Sequence, residues 1–395
     1  MKRKIWRWVL GIVVILIIVG FVAAWPYLQP PKESKETLEA RYAEFRQTAD
    51  ALQARPGTQM KDLVALIDEL QPVLKKETVP NKALMGLSYG KEVPCPGYNL
   101  EDIRNSAADI QAVLAQDDRL RAIIGDGFAP QQDIGHEADL PNFSWVRKYA
   151  YAQLAGAVLE VDQNKTGEAT ERLLRLLQLS DGLIATPTII HCFVGIVIAD
   201  RIDRIIVELA PKLSLEDLAR LREAVAKRPD TVEAIFAALR AEIVATTDEF
   251  SDPVKTRDGL IQAIPALGWL GPILPRTGIV RNARWNYLSI STRIYDFYDQ
   301  WRQSGPQSPP PELDKAILRE YGHNIPGMIA IPNYQSILER CRRGNIHKKA
   351  VLGALDGQLA ALHAGTREKQ ETPYDDTHRI VIDGDHGCIV TVEGE

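Results

Sequence analysis

The apolar pattern of the chain begins with an uncharged run from Trp8 to Leu28. As a helix that rises about 1.5 Å per residue, this run reaches about 30 Å, the thickness of a bilayer's hydrocarbon core. The basic residues before it are Lys2, Arg3, Lys4 and Arg7. Because basic flanks stay on the cytoplasmic side, the pattern predicts a cytoplasmic arm at 1–7 and a single-pass anchor at 8–28. The rest of the chain then lies outside the cytoplasm.

A cleavable signal peptide is the alternative interpretation of this segment. Small residues at 22–24 offer a cleavage site after Ala24, which would leave Trp25 as the first residue. The apolar run is longer than the core of a signal peptide, which has about 7–15 residues. We therefore favour an uncleaved anchor in the cytoplasmic (inner) membrane.

Apolar residues then recur at helical spacing from Ser34 to about residue 303. Two pairs of amphipathic helices are predicted in the middle, 143–164 with 166–183 and 188–210 with 214–229, the first pair broken at Asn164 and stopped at Gly182. Such pairs cannot bury their apolar stripes alone, so we expect stacked helical hairpins in a bundle or a short solenoid.

The C-terminal part begins after the Pro-rich linker at 304–311. Helices are expected near 312–321, 334–343 and 346–363, and the segment "HRIVIDGDHGCIVTVEG" predicts a small β-hairpin around its turn. The predicted fold class is mainly α. The predicted domains outside the membrane are a helical-hairpin domain at 29–303 and a C-terminal region at 312–395.

Two short segments resemble known families. The stretch "AQLAGAVLEV" followed by "TGEATERLLRLL", within about residues 145–181, resembles a tetratricopeptide-type helical hairpin, which implies a protein-binding architecture. The stretch "TPYDDTHRIVIDGDHGCIVTV", at about residues 372–392, resembles the C-terminal end of type II secretion pseudopilins. As a whole, the chain resembles a loosely defined class of uncharacterised bacterial single-pass membrane proteins, and this class implies no activity.

Charge and cysteine content narrow the possible partners. Without the basic arm, 43 Lys and Arg face 52 Asp and Glu, a net charge of −9 that excludes a nucleic-acid partner. In an oxidising compartment the cysteines Cys95, Cys192, Cys341 and Cys388 allow three pairings. The sequence leaves the pairing open, with Cys341 and Cys388 favoured as a pair and Cys192 favoured as a buried small apolar residue. It also leaves the oligomeric state open.

Catalytic candidates are few. The segment "GLSYG" places Ser88 in the pattern of a hydrolase nucleophile elbow, although no strand and helix are predicted around it. His191 with Asp200 and Asp203 forms a second candidate, an acid-base set on one helix. The alternative is that His191 is a core residue, which is the usual role of an isolated histidine in an apolar run.

Binding candidates lie in the C-terminal half of the chain. The hairpin carries four residues of metal-ligand type, His378, Asp383, Asp385 and His386, although Asp is also common in turns for backbone reasons. One aromatic helix carries a possible surface for a ligand or a partner: Arg281, Arg284, Trp285, Tyr287, Tyr295, Tyr298 and Trp301. Rings and guanidinium groups can hold a peptide or a glycan, whereas core packing is the simpler use of so many rings.

The sequence thus favours a membrane-tethered helical scaffold or adaptor that binds envelope proteins and has no catalysis of its own. No motif for a cofactor or a phosphate-binding loop occurs, so no cofactor is expected. The alternative is an envelope hydrolase that uses Ser88 or a His/Asp set.

Overall fold

The computed structural model divides the chain into two compact units, each built from two segments. The described residues are 31–53, 59–75, 98–125, 127–128, 143–263, 272, 278–305, 308–323, 333–366, 369–375, 378–384 and 386–391. Unit 1 takes its described residues from Met1–Ala49 and Arg240–Ser336, and unit 2 from Asp50–Leu239 and Ile337–Glu395. The predicted linker at 304–311 falls within unit 1.

The fold is mainly helical with one small sheet, as predicted. In chain order the helices are α1 (Lys35–Gln53), α2 (Gln59–Leu74), α3 (Leu100–Asn105), α4 (Ala107–Leu114), α5 (Asp117–Ile124), α6 (Phe143–Asp162), α7 (Thr166–Ile184), α8 (Ile189–Leu209), α9 (Leu215–Lys227), α10 (Thr231–Glu249), α11 (Pro253–Ala263), α12 (Gly278–Arg281), α13 (Ala283–Gln303), α14 (Lys315–His323) and α15 (Tyr334–Ala364). The strands are β1 (Gln370–Pro373), β2 (His378–Asp383) and β3 (His386–Thr391).

Polar side chains cap the N-terminal ends of several helices. Before α3, the Asn99 side chain accepts a hydrogen bond from the amide of Glu101 at 3.0 Å. Before α9, the Ser214 hydroxyl accepts one from the amide of Asp217 at 3.1 Å. These caps satisfy amide groups that have no partner inside the helix.

The centre of unit 2 is the run α6, α7 and α8. The break between α6 and α7 lies at Asn164, whose positive φ of 61° turns the chain as predicted. Gly182 does not end α7, which continues to Ile184. A Cβ at Gly182 would lie 2.1 Å from the Phe128 carbonyl oxygen, so this glycine serves close packing rather than helix termination.

The contact between α7 and α8 depends on another glycine. A Cβ at Gly195 would lie 2.7 Å from the Ser180 carbonyl oxygen and 2.8 Å from the Ile184 nitrogen. The backbone of α7 therefore packs directly against the backbone of α8 at Gly195, where α8 has no side chain. Their apolar faces, together with those of α2 to α6 and α9, form one buried core.

The C-terminal part of unit 2 is a long helix followed by a sheet. The sequence predicts two helices at 334–343 and 346–363, but α15 runs unbroken through Gly344. A Cβ there would lie 3.3 Å from the Thr231 hydroxyl, so this glycine also permits a close approach. The predicted hairpin is confirmed as β2 and β3, and the additional strand β1 completes an antiparallel sheet of order β1-β2-β3.

The sheet packs directly on α8. A Cβ at Gly387 on β3 would lie 2.0 Å from the carbonyl oxygen of Val207 on α8. The apolar side chains Ile380, Ile382 and Ile389 are buried in the same core as the hairpin helices. The tail of the chain is thus part of the hydrophobic core of unit 2.

Unit 1 has an aromatic core. The rings of Phe45 on α1 and Tyr295 on α13 lie 4.9 Å apart between centroids. Those of Phe250 and Tyr287 lie 5.3 Å apart. In the part of the chain that the structure describes, no helix is both long and apolar enough to cross a membrane. The predicted arm and anchor at 1–28 lie outside that part.

Candidate functional site

The candidate site is a group of buried and half-buried charged side chains, with one buried tyrosine, in unit 2, which we call the charged cluster. Its members are Asp181, Asp200, Asp203, Arg228, His347, Lys348, Tyr374 and Asp375. They come from α7, α8, the C-terminal end of α9, α15 and the segment after β1. The cluster therefore joins the hairpin helices to the tail of the chain.

The strongest pair in the cluster is Arg228 with Asp203. Two parallel hydrogen bonds of 2.8 and 2.7 Å run from the guanidinium to the carboxylate. Both side chains are only 2% exposed. Charge-assisted bonds of this bidentate kind are strong and fix the mutual orientation of the two groups.

A third charged group, Asp181 on α7, lies beside this pair. One of its oxygens is 3.6 Å from the Arg228 Nε atom. Burial raises the pKa of Asp181 to about 6, because loss of hydration, with repulsion from Asp203, outweighs the attraction of Arg228.

His347 on α15 lies between two carboxylates. Its Nδ1 is 2.9 Å from an Asp200 oxygen, and its Nε2 is 3.5 Å from an Asp375 oxygen. Its ring stacks on Tyr374, with 4.1 Å between centroids and 16° between planes. The Tyr374 hydroxyl donates a hydrogen bond to Asp200 at 3.3 Å. Three elements of unit 2 thus meet at this histidine.

The carboxylates favour the protonated form of His347. Burial lowers the pKa of His347, but the hydrogen bonds and charges of Asp200 and Asp375 outweigh it, so the pKa is raised above 6.5. Burial likewise acts to raise the pKa of Asp200, and the His347 hydrogen bond and the charge of Arg204 reverse that effect and lower it. Each group therefore favours the charged form of the other.

The cluster encloses little free space. The cavity lined by Asp200, Asp203, Arg228, His347 and Lys348 measures about 10 Å³, which is room for about one water molecule. A general base needs a path to its substrate, whereas His347 is closed in by its two carboxylates and by Tyr374. The geometry is that of a structural ion-pair network, which we call a clamp because it connects the tail to the hairpin helices.

A second buried polar network lies where α5, α6 and α7 meet. Arg172 binds Glu160 through two hydrogen bonds of 3.0 and 2.6 Å and binds Asp117 at 2.7 Å. Arg175 also binds Asp117, at 2.8 Å. These groups form ion pairs with one another, so this network also holds the three helices together.

The predicted acid-base set on α8 is not assembled. The His191 ring bonds to the Thr188 hydroxyl and packs edge-on against Phe143, at 4.8 Å between centroids. Burial lowers the pKa of His191 to about 4, so the ring is neutral. Asp200 is nine residues away on the same helix, a rise of about 13 Å. Asp200 and Asp203 instead serve His347 and Arg228.

The predicted metal ligands are dispersed over the hairpin. His378 bonds to Asp375 at 2.9 Å, while Asp383 and His386 face each other at the end of β2 and β3. Asp385 lies outside the described residues. Within the described ranges, no group of three or more His, Cys, Asp or Glu side chains is arranged to hold a metal ion.

The cysteines differ from the favoured pairing. Cys192 and Cys341 are buried and are not in disulfides, whereas Cys388 is disulfide-bonded. The predicted pair of Cys341 with Cys388 is therefore wrong, and the prediction of Cys192 as a buried small apolar residue is confirmed. Cys95 and the candidate nucleophile Ser88 lie outside the described residues.

The aromatic helix is α13, and most of its rings are core. The side chains of Tyr287, Tyr295, Tyr298 and Trp301 are buried in unit 1, so they do not form an exposed recognition surface. Their spacing along α13 places them on one apolar face of the helix, and this face is buried in the core of unit 1. Arg281 is exposed, and Arg284 and Trp285 are half-buried. Only these three remain at the surface.

The sequence reasoning missed His347 and Arg228. A signal was present in the alternation "ADRIDR" at 199–204, which places charged residues in an otherwise apolar helix. Buried charges require partners, but the pattern does not show that the partners lie 25 and 147 residues further along the chain. Comparison of the chain with protein-family models, with curated proteins and with solved structures gave no match.

Proposed function

We propose that this protein is a membrane-tethered helical adaptor that binds other proteins of the cell envelope. The tether is the predicted anchor at 8–28, which places the helical units outside the cytoplasm. The hairpin of α6 and α7 coincides with the segment that resembles a tetratricopeptide repeat, and proteins of that architecture bind other proteins. A disulfide at Cys388 suits an oxidising compartment.

The observation that carries this proposal is the charged cluster. Arg228 binds Asp203, and Asp200 binds both His347 and Tyr374 in the tail of the chain. These charges hold a helical framework in one arrangement, as a binding scaffold requires. Their mutual pairing leaves them unsuited to proton transfer with an outside substrate.

The test is site-specific crosslinking of the full chain in membranes. A photo-activated residue placed at the exposed positions Glu168, Glu171 or Arg220 of the hairpin helices should give crosslinks to a reproducible envelope protein. The matched control is a chimera that keeps residues 1–34 and carries an unrelated domain. The same partner must be recovered when that partner is used as bait. If the chimera, which lacks the helical units, captures the same partner, the proposal is overturned.

The hydrolase alternative is tested separately. A fluorophosphonate probe reacts with an activated serine, so labelling that disappears in Ser88→Ala would replace the adaptor proposal by the hydrolase. Under the adaptor proposal, the full chain in membranes is not labelled above the level of the Ser88→Ala variant.

A further inference from the structure

The starting observation is an uneven distribution of acidic residues. Between Asp258 and Asp296 the chain contains no Asp or Glu, although the protein as a whole has a net charge of −5. The same stretch contains four arginines: Arg276, Arg281, Arg284 and Arg293. It is therefore a basic segment within an acidic protein.

The described end of this segment forms a cationic aromatic surface on unit 1. The Trp285 ring has the Arg284 guanidinium 4.6 Å from its centroid and the Lys35 ammonium 5.7 Å from it. Arg281 is exposed at the end of α12, four residues before Trp285. We call Lys35, Arg281, Arg284 and Trp285 the cationic aromatic surface.

Two acids, Glu33 and Glu36, lie near Lys35 in the sequence. Glu33 accepts a hydrogen bond from Ser289 and lies 4.0 Å from the Arg293 guanidinium. Glu36 is fully exposed and bonds within its own helical turn, to the backbone and to Ser34. Neither carboxylate pairs with Arg281 or Arg284 in the contacts of the described residues.

Chain length places this surface near the predicted membrane anchor. Lys35 begins α1, and only the residues 29–34 separate it from the end of the predicted span at Leu28. At no more than about 3.6 Å per residue, Lys35 lies within about 25 Å of the hydrocarbon boundary. The headgroup layer itself extends several Å outward from that boundary.

We propose that the cationic aromatic surface lies against the anionic phospholipid headgroups of the leaflet from which the anchor emerges. The inference rests on the proposed tether. Guanidinium groups bind phosphate through paired hydrogen bonds. Tryptophan prefers the interface between headgroups and hydrocarbon. The contact fixes the orientation of unit 1 on the membrane.

A second tryptophan provides a matched control. Trp145 on α6 is also half-buried and has the ammonium groups of Lys148 and Lys75 at 4.4 and 6.0 Å from its centroid. It has the same local chemistry, but Glu137 and Asp139 precede it in the sequence. Its two lysines are also further along the chain from the anchor than Lys35 is. We expect no headgroup contact there.

The experiment uses the full chain reconstituted into vesicles of equal parts phosphatidylcholine and phosphatidylglycerol. Brominated acyl chains quench tryptophan fluorescence on contact. The difference between the wild type and Trp285→Phe isolates the signal of Trp285, and Trp145→Phe isolates that of Trp145. We expect quenching of Trp285 and not of Trp145. For Arg281→Ala we expect a fall of roughly fivefold in the fraction of molecules whose Trp285 contacts the bilayer. Because Arg281 is exposed, this variant should keep the wild-type circular dichroism and thermal transition.

Alkaline extraction separates the two proposals. If the chain stays with the vesicles but Trp285 is not quenched, the headgroup contact is wrong and the tether stands. The opposite outcome is a chain that binds only anionic vesicles and is released by salt of about 1 M, where the Debye length is about 3 Å. In that case the headgroup contact stands and the tether is wrong. Equal quenching of both tryptophans, or quenching that Arg281→Ala leaves unchanged, also overturns the inference.

Discussion

At the scale of single residues, the pair of Arg228 and Asp203 has the largest predicted effect on stability. Removal of one partner of a buried pair leaves an uncompensated charge and costs about 3–5 kcal/mol. We therefore expect Asp203→Asn to lower the free energy of unfolding by about that amount, measured by urea denaturation monitored by circular dichroism.

The control for this substitution is an exposed pair in the same unit. Arg222 binds Asp356 at 2.8 Å, but the two side chains are 43% and 52% exposed. Exposed pairs contribute about 0–1 kcal/mol, so Asp356→Asn should change stability little. If Asp203→Asn costs no more than Asp356→Asn, the charged cluster is not a clamp.

His347 predicts a pH dependence with a definite sign. Its pKa is raised above the ordinary value of 6.5 in the folded protein. A group of this kind contributes stability that is fully present below pH 6.5 and is lost as the pH rises through the folded pKa. The free energy of unfolding should fall as the pH rises above 6.5, and His347→Gln should flatten the curve in that window.

His191 provides the matched control for the pH experiment. Its pKa is lowered to about 4 by burial, so its effect is a loss of stability as the pH falls from 6.5 toward 4. His191→Gln should therefore change the curve below pH 6.5 and leave the part above it as in the wild type. A dependence above pH 6.5 that persists in His347→Gln would contradict the assignment.

At the scale of helices, glycine has two distinct roles in this chain. At Gly195 a Cβ would meet backbone atoms of α7 at 2.7 and 2.8 Å, and backbone cannot yield without a shift of the helix. We expect Gly195→Ala to destabilise the protein by about 1–3 kcal/mol, measured by denaturant unfolding.

Gly167 on α7 tests this interpretation. No atom lies within 4 Å of a Cβ at Gly167, so Gly167→Ala only reduces the freedom of the unfolded chain. It should be neutral or stabilising by up to about 1 kcal/mol. Equal destabilisation by both substitutions would show that the approach of α7 to α8 at Gly195 does not determine the effect.

The same distinction explains where the sequence predicted the helices well and where it failed. Apolar spacing predicted the helices, because this signal is local. Gly182 and Gly344 were interpreted as helix ends or gaps, whereas both lie inside helices where a neighbouring element approaches. A local pattern cannot distinguish a glycine that ends a helix from one that permits contact.

The candidate site was less predictable than the helices for a related reason. The charges on α8 are visible in the sequence, but their partners belong to α9, α15 and the tail. Pairing over such separations depends on the packing of the whole unit. Likewise, the rings of α13 could have served packing or recognition, and only their burial in unit 1 distinguishes the two.

At the scale of the whole molecule, the cysteines link the structure to the proposed location. Cys388 is disulfide-bonded, while Cys192 and Cys341 are buried outside disulfides. Disulfides persist in oxidising compartments and are rare in the cytoplasm. In protein taken directly from cells, Cys388 should react with an alkylating reagent only after reduction, and Cys192 and Cys341 should react after unfolding alone.

A topology reporter completes this test, because the disulfide and the anchor predict the same side of the membrane. With the anchor uncleaved and the basic arm in the cytoplasm, alkaline phosphatase fused after residue 395 should be active, since it requires an oxidising compartment to form its own disulfides. The N-terminal peptide found by mass spectrometry should begin at the arm and not at Trp25. An inactive alkaline phosphatase fusion, together with a Cys388 that alkylates without reduction, would place the charged cluster and the helical units on the other side of the membrane. The proposed envelope partners would then be excluded.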